Sequence, residues 1–491
     1  MHGLSRAAVG HLGRAARLVA SALAWDPARL GAALRRSLEA ASGSVASARA
    51  ALDARDPRAD DAISAAGGRL LDALMEIGRF DAGGPRSQAE DLSELVQEAA
   101  SACLDAEAAL DAQRRRAAPA ASVIAPRAGA NVVRLQSLAE VERYVAAHGH
   151  LAGVTVEGVR GVPRLTHLDL SASRFEDCDF SGADLERVRA RATVWSSCRL
   201  VGLRASGASF AESDLSDARL EDADLTGASF EGARLWRTHL ERSHLVGSRW
   251  EAASLRDAVL HDARAAGVDF GAAIVRNPSV RGADLESASF RRATLQDVDL
   301  TGVRLRGAKL ICCLLTGAHG EDVDLTSADL TDTTLKNALL PRLRGAGLNA
   351  PQSSWAGADL RGAQMQDASL PFADVRGVDF EGADLSRASF HGSCLVNANL
   401  SRVIAREARF DDARLERARM AGSSFAGASF AGADLSHAIL DGSTLVGGSL
   451  AAANLHRTSF ESADRTHVDM RDARTTDEDR ARAEDFGKKA G

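Results

Sequence analysis

One register of large apolar residues runs through this chain at a period of five. From Leu165 to Met470 every fifth residue belongs to it without a slip, at 62 positions. Thirty-three are Leu, 12 are Phe and nine more are Trp, Met or Val; Arg465 alone is charged. Two residues before each centre sits a second class, with 32 Ala among 62 positions and mostly Ser, Val, Thr or Cys besides. Two residues after the centre Gly occurs 22 times, about half of the 43 in the chain. Typical units read Ala183-Asp184-Leu185, Ala223-Asp224-Leu225 and Ala433-Asp434-Leu435.

A period of five fits neither a helix at about 3.6 nor a strand at about 2. It fits a chain that turns a corner every five residues. One small and one large side chain point inward, polar ones point out, and Gly eases the corner where φ is positive. Four such sides close a square coil of 20 residues, and coils stack at the strand spacing of about 4.8 Å. The aromatics test this. Phe210, Phe230, Trp250, Phe270 and Phe290, then Phe390, Phe410 and Phe430, fall in one column of spacing 20. That column holds eight of the 15 central aromatics, where an even spread gives about four. Rings stack best on their own kind. Aromatics make up 4% of the chain against 45% apolar residues overall, as a narrow interior of Leu and Ala requires.

On these residues the region from about 151 to 475 resembles the pentapeptide-repeat family. The resemblance implies a mainly β fold, a right-handed quadrilateral β-helix, about 75 Å long at ~15 coils. Such solenoids touch only neighbour on neighbour and need closed ends. Residues 131–164 read as a capping strand and helix with the first coil. Asn131–Leu135 is the strand, and Ser137-Leu138-Ala139-Glu140 is a capping box for a helix ended by Gly149. The β-helix proper spans 165–475. Arg465 at an inward position marks where the regular interior stops, and 476–491 reads as a charged capping helix and tail. Gly320, Gly345 and Ala350 at centres, with Pro341 and Pro351, predict a looser coil or bend at about 340–356.

Residues 1–116 carry helical periodicity instead, for example Leu34, Leu38, Ala41, Val45, Ala48 and Leu52, with Asp26-Pro27 and Asp56-Pro57 as helix starts. An N-terminal α-helical bundle is expected, joined through an Ala/Pro-rich linker at 117–130. Helices that pair between chains are the alternative. Arg6, Arg14 and Arg17 before Leu18–Trp25 imitate a secretory signal, but the apolar run is only eight residues. No run approaches the ~18 apolar residues of a membrane span. Six dispersed cysteines lack metal spacing and fit unpaired thiols in a cytoplasm. Cys178 and Cys198 should stack in adjacent coils as buried thiols.

No catalytic, cofactor-binding or metal site is expected. None of the usual spacings occurs among the 13 histidines. His239 and His244 precede central leucines and read as solvated surface residues. Asp recurs before the centre along the coils, which reads as corner hydrogen bonding. Trp236, with Arg256 one coil on, should point outward, either as an interaction hot spot or as a ring lying flat under its arginine. Ile311 and Phe372 share that ambiguity. Arg187, Arg189, Arg191, Arg199 and Arg204 form a candidate basic patch, read as a solvated face.

The best reading is a non-enzymatic scaffold, a rigid rod with a helical docking domain for an unidentified protein partner or for itself. The resemblance keeps two bacterial alternatives open. One is a DNA mimic that binds gyrase; the other is an accessory or effector of a secretion or contractile-injection system, exported by it. Residues 151–475 carry 44 acidic and 38 basic residues, which is weak for a mimic and offers no nucleic-acid footprint.

Overall fold

A computed structural model describes residues 15–17, 19–20, 32–53, 66, 133–163, 165–271, 273–478, 481–482 and 484. The chain divides into two compact units, 1–130 and 131–491. In the first, helix α1 (Ala32–Asp53) follows the expected spacing, with Leu38, Ala41, Val45 and Ala48 fully buried. The other expected N-terminal helices and the linker lie outside the described residues, as does Cys103.

In the second unit, β1 (Arg134–Leu135) pairs in parallel with β2 (Thr155–Glu157), and β2 with β3 (Arg174–Glu176). Between β1 and β2, α2 (Leu138–His148) starts and stops as its caps dictate. Ser137 accepts from the Glu140 N–H, the Glu140 carboxylate accepts from the Gln136 N–H at 2.7 Å, and Gly149 closes the helix at φ 72°. Val141 is buried, and Leu138, Tyr144 and Val145 pack on the first coil's interior.

From there the coil repeats with parallel pairs 20 residues apart, such as Ser209 with Ser229 and Asp434 with Asn454. Both inward classes are buried, with Ala223 and Leu225 at 0% exposure. Four of every five N–H groups have a backbone acceptor. The central Leu225 and the corner Gly227 donate to the next coil, at His244 and Val246. Ser229 donates to the previous coil at Ala208, and Ala228 closes the turn on Leu225. The fifth, that of Thr226, goes to the Asp224 carboxylate at 3.1 Å. This explains the recurrent Asp before a centre: where it occurs, it satisfies the one donor the ladder leaves over. The corner residue is left-handed throughout, often in Asp, Arg or Ser rather than Gly. The turn selects that conformation, and Gly merely adopts it at least cost.

The aromatic column is stacked as the spacing requires. Phe210 and Phe230 lie 5.5 Å apart, Phe230 and Trp250 4.4 Å, Phe270 and Phe290 4.9 Å. Each interior Trp donates its indole N–H to the hydroxyl two residues earlier: Trp195 to Thr193, Trp250 to Ser248, Trp355 to Ser353. These hydroxyls in turn donate to the carbonyl three residues earlier, as Ser353 does to Ala350, while Thr238 donates to Leu215 of the coil below.

The expected irregularity at 340–356 is absent. Pro341 and Pro351 occupy the position whose N–H the ladder never uses, and their carbonyls accept from Asp322 and Asp332. Met365 fills the room above Gly345. The departure sits instead at Pro278, in the position that should close the turn. There the chain runs on as β5 (Ile274–Arg276), beside β4 (Ser254–Arg256), and Arg276 pairs with Thr294, 18 residues on. Proline cost is therefore set by register. Val201→Pro, at the unused position, should shift stability by under about 1 kcal/mol. Arg199→Pro removes the bond to the Cys178 carbonyl at 3.0 Å and should cost about 1–3 kcal/mol in urea titration.

At the far end the interior fades after Leu455. Arg465 is exposed, its guanidinium 5.0 Å from the Phe460 ring, although pairing continues to Arg474. Of the described residues after it, 478, 481, 482 and 484 are helical, and Glu484 meets His437, His456 and Arg457.

Candidate interaction surface

The five arginines of the candidate basic patch are not free. Arg189 pairs with Asp169 at 3.6 Å, Arg199 with Asp179 at 3.3 Å, and Arg204 with Asp184 at 3.0 Å. Arg191 meets Glu212 at 2.6 Å and Arg187 meets Glu186 at 3.6 Å. Three of these pairs join residues 20 apart, and the pattern recurs at Asp217–Arg237, Asp222–Arg242, Asp284–Arg304 and Asp367–Arg387. Stacking puts one coil's outward position directly over the next, so opposite charges there form rungs. Exposed pairs contribute at most about 1 kcal/mol each. Their main effect is on the field, which they cancel locally. The carboxylates are doubly engaged. The Ser181 hydroxyl and then its N–H hold Asp179 below the usual carboxylate range, with Arg199 adding to them.

Trp236 departs from the outward reading. It is 6% exposed, held between the guanidinium groups of Arg234 at 4.5 Å and Arg256 at 4.6 Å. Its indole donates to Ser254, and Arg256 is equally buried. The ring lies flat because this corner offers one arginine on its own coil and another on the next. Ile311 is half-buried. Phe372 is exposed, at 57%, and rests over Gly392. A Cβ there would sit 2.6 Å from its ring, so Gly392 supplies the ring's seat, with His391 edge-on at 5.3 Å. Leu339, 55% exposed, escaped the sequence reading. The signal was there: it stands before a centre, where Asp, Arg or Ser is usual.

Cys178 and Cys198 do stack, as unbonded thiols that donate to the carbonyls of Val156 and Phe175. Cys178 and burial push the Cys198 thiol up, and burial does the same at Cys313, so neither is a ready nucleophile. Two clusters join histidine to carboxylates: His437 and His456 with Glu484, and His239 with Glu221 and Glu241. His244 is exposed and belongs to neither. Among the described residues no helix is long and apolar enough to cross a membrane.

Two family models match this chain, described as "Pentapeptide repeat region" over residues 168–250 and "Pentapeptide repeats (8 copies)" over segments between 237 and 447. No curated protein matches it. Among solved structures it is similar to QnrB1, a plasmid-mediated fluoroquinolone resistance protein, at 16% identity over 46% of this chain and 97% of that one, TM-score 0.24. It is also similar to HetL from the cyanobacterium Nostoc, involved in heterocyst differentiation regulation. That match has 23% identity over 69% of this chain and 96% of that one, TM-score 0.12. At these values neither likeness carries an argument about activity.

Proposed function

Because this chain belongs to the pentapeptide-repeat family, we propose that it is a non-enzymatic protein-interaction scaffold. In this reading the coils are a rigid spacer and an N-terminal helical bundle at 1–116 docks a protein partner or a second copy. The observation that carries it is the self-paired surface. Acidic and basic side chains are matched rung by rung along the coils, as in Asp184–Arg204 and Asp284–Arg304. A DNA mimic must display its carboxylates to a partner's cationic groove, and here the chain's own arginines occupy many of them. Extended faces with apolar points, Phe372 on one side of the coil and Leu339 on another, suit an extended protein partner instead. The free thiols of Cys178, Cys198, Cys313 and Cys394 support a cytoplasmic setting.

The test is capture with the full chain in its native host, followed by binding measurements on Phe372→Ser and Leu339→Asp. Reproducible capture of one partner, weakened at least tenfold by either substitution, is the expected result. A chain that captures nothing and stays monomeric sinks the docking role. Inhibition of gyrase supercoiling by micromolar protein would replace it with mimicry.

A further inference from the structure

We propose that Glu221, Glu241 and His239 form a divalent-cation site on one face of the β-helix. Glu221 and Glu241 occupy the same outward position on adjacent coils, 20 residues apart. His239 stands two residues before Glu241 and pairs through its backbone with Arg219 on the coil before it. The Arg219 guanidinium takes only one oxygen of Glu221, with Nε at 2.8 Å and a terminal nitrogen at 2.6 Å, both on Oε1. His239 Nδ1 takes only Oε1 of Glu241, at 3.0 Å. The second oxygen of each carboxylate, Oε2, is buried and accepts no hydrogen bond. Glu221 as a whole is 7% exposed.

That arrangement is costly unless something positive joins it. A buried carboxylate oxygen keeps its full desolvation penalty when no donor reaches it. Two like charges stacked on adjacent coils raise that penalty. Arg219 compensates the far side of Glu221 and leaves the inner oxygens bare. A cation answers both problems, and the geometry suits one: a ligand atom from each residue lies within 4.8 Å of the other two. Zn–N and Zn–O bonds of ~2.0–2.2 Å hold ligand atoms at most about 4.4 Å apart, so a small side-chain shift closes the three donors on an ion. Two carboxylates with one imidazole form a borderline donor set. It favours zinc over calcium or magnesium, which prefer oxygen throughout. Arg219 then orients the first ligand, as hydrogen-bond partners of metal ligands commonly do.

The second cluster differs. There the Asp477 N–H donates to His456 Nδ1 at 3.2 Å, so the ring proton sits on Nε2 and faces Glu484. It is closed by ordinary hydrogen bonds and serves as an internal control.

The test is zinc binding by the full-length protein, stripped with chelator and titrated with ZnCl2 by calorimetry, with thermal melts alongside. Wild type should take up one equivalent and melt at a higher temperature with zinc. Glu241→Gln and His239→Ala should each weaken binding at least tenfold and abolish the thermal gain, while Glu484→Gln should leave both intact. Melts in chelator and far-UV circular dichroism establish that the variants are folded; if Glu241→Gln is not, His239→Ala decides. Failure of wild type to bind zinc overturns the site. So does undiminished binding by both variants, or loss confined to Glu484→Gln.

Discussion

Leu225→Asp should destroy the coils on either side of it. Leu225 is fully buried in a column between Ala205 and Leu245, themselves at 0% exposure. The substitution removes a packed side chain, at about 2–5 kcal/mol, and places a carboxylate where no donor is free. The neighbouring N–H groups are already committed, that of Leu225 itself to His244 and that of Ala228 to Leu225. Total cost should pass about 5 kcal/mol, a large share of what holds an ordinary domain together. A solenoid distributes that loss unevenly, because each coil is supported only by its neighbours. Limited proteolysis should therefore cut first near 205–245, while coils beyond about 300 stay resistant. A variant that melts and resists protease like wild type would show that the central register does not face inward.

The same register explains why the fold was so legible. A period of five leaves no competing helix or strand solution, and the column of spacing 20 counts the sides of the coil. The interior follows because position alone decides it. The prolines were misjudged at 340–356 for a related reason. Counting backbone donors lost is not enough without knowing which of the five the ladder uses, and that is a property of the stacked coil. Pro351 costs nothing and Pro278 changes the pairing, although both look alike in sequence.

The surface was less legible, because its chemistry depends on residues 20 apart. A cluster of arginines from 187 to 204 reads as a basic patch when viewed along the chain. Viewed across coils, four of the five meet a carboxylate on an adjacent coil, and Arg187 meets its chain neighbour Glu186. Trp236 was placed at the correct corner, but its burial follows from Arg234 and Arg256 closing over it. Glu221, His239 and Glu241 look like three more surface residues until the coils are stacked. Only then do two carboxylates, each with a buried oxygen that accepts no hydrogen bond, come together beside one imidazole.

Phe410→Ala should give the second large effect, and it tests the aromatic column directly. Phe410 is fully buried between Phe390, 5.3 Å away and 2° from parallel, and Phe430, 4.9 Å away and 6° from parallel. Phe425 meets it edge-on at 6.1 Å. Truncation should cost about 3–5 kcal/mol for the transfer and cavity together. Lost ring contacts should add about 0.5–1.5 kcal/mol for each well-packed pair. Phe410→Leu separates these contributions. Leucine fills this column elsewhere, at Leu310, Leu330 and Leu370, so the backbone accommodates it. Yet at 410 both neighbours are rings set for a third, and leucine leaves part of the space between them unfilled. Its cost should fall near half that of alanine in denaturant unfolding. Amide exchange in the alanine variant should speed up at 390–430 and change little at 310–330. Equal costs for leucine and alanine would assign the effect to the rings' mutual stacking rather than to volume. A cost under about 1 kcal/mol for both would mean that the neighbouring rings close the gap and the column is not a rigid stack.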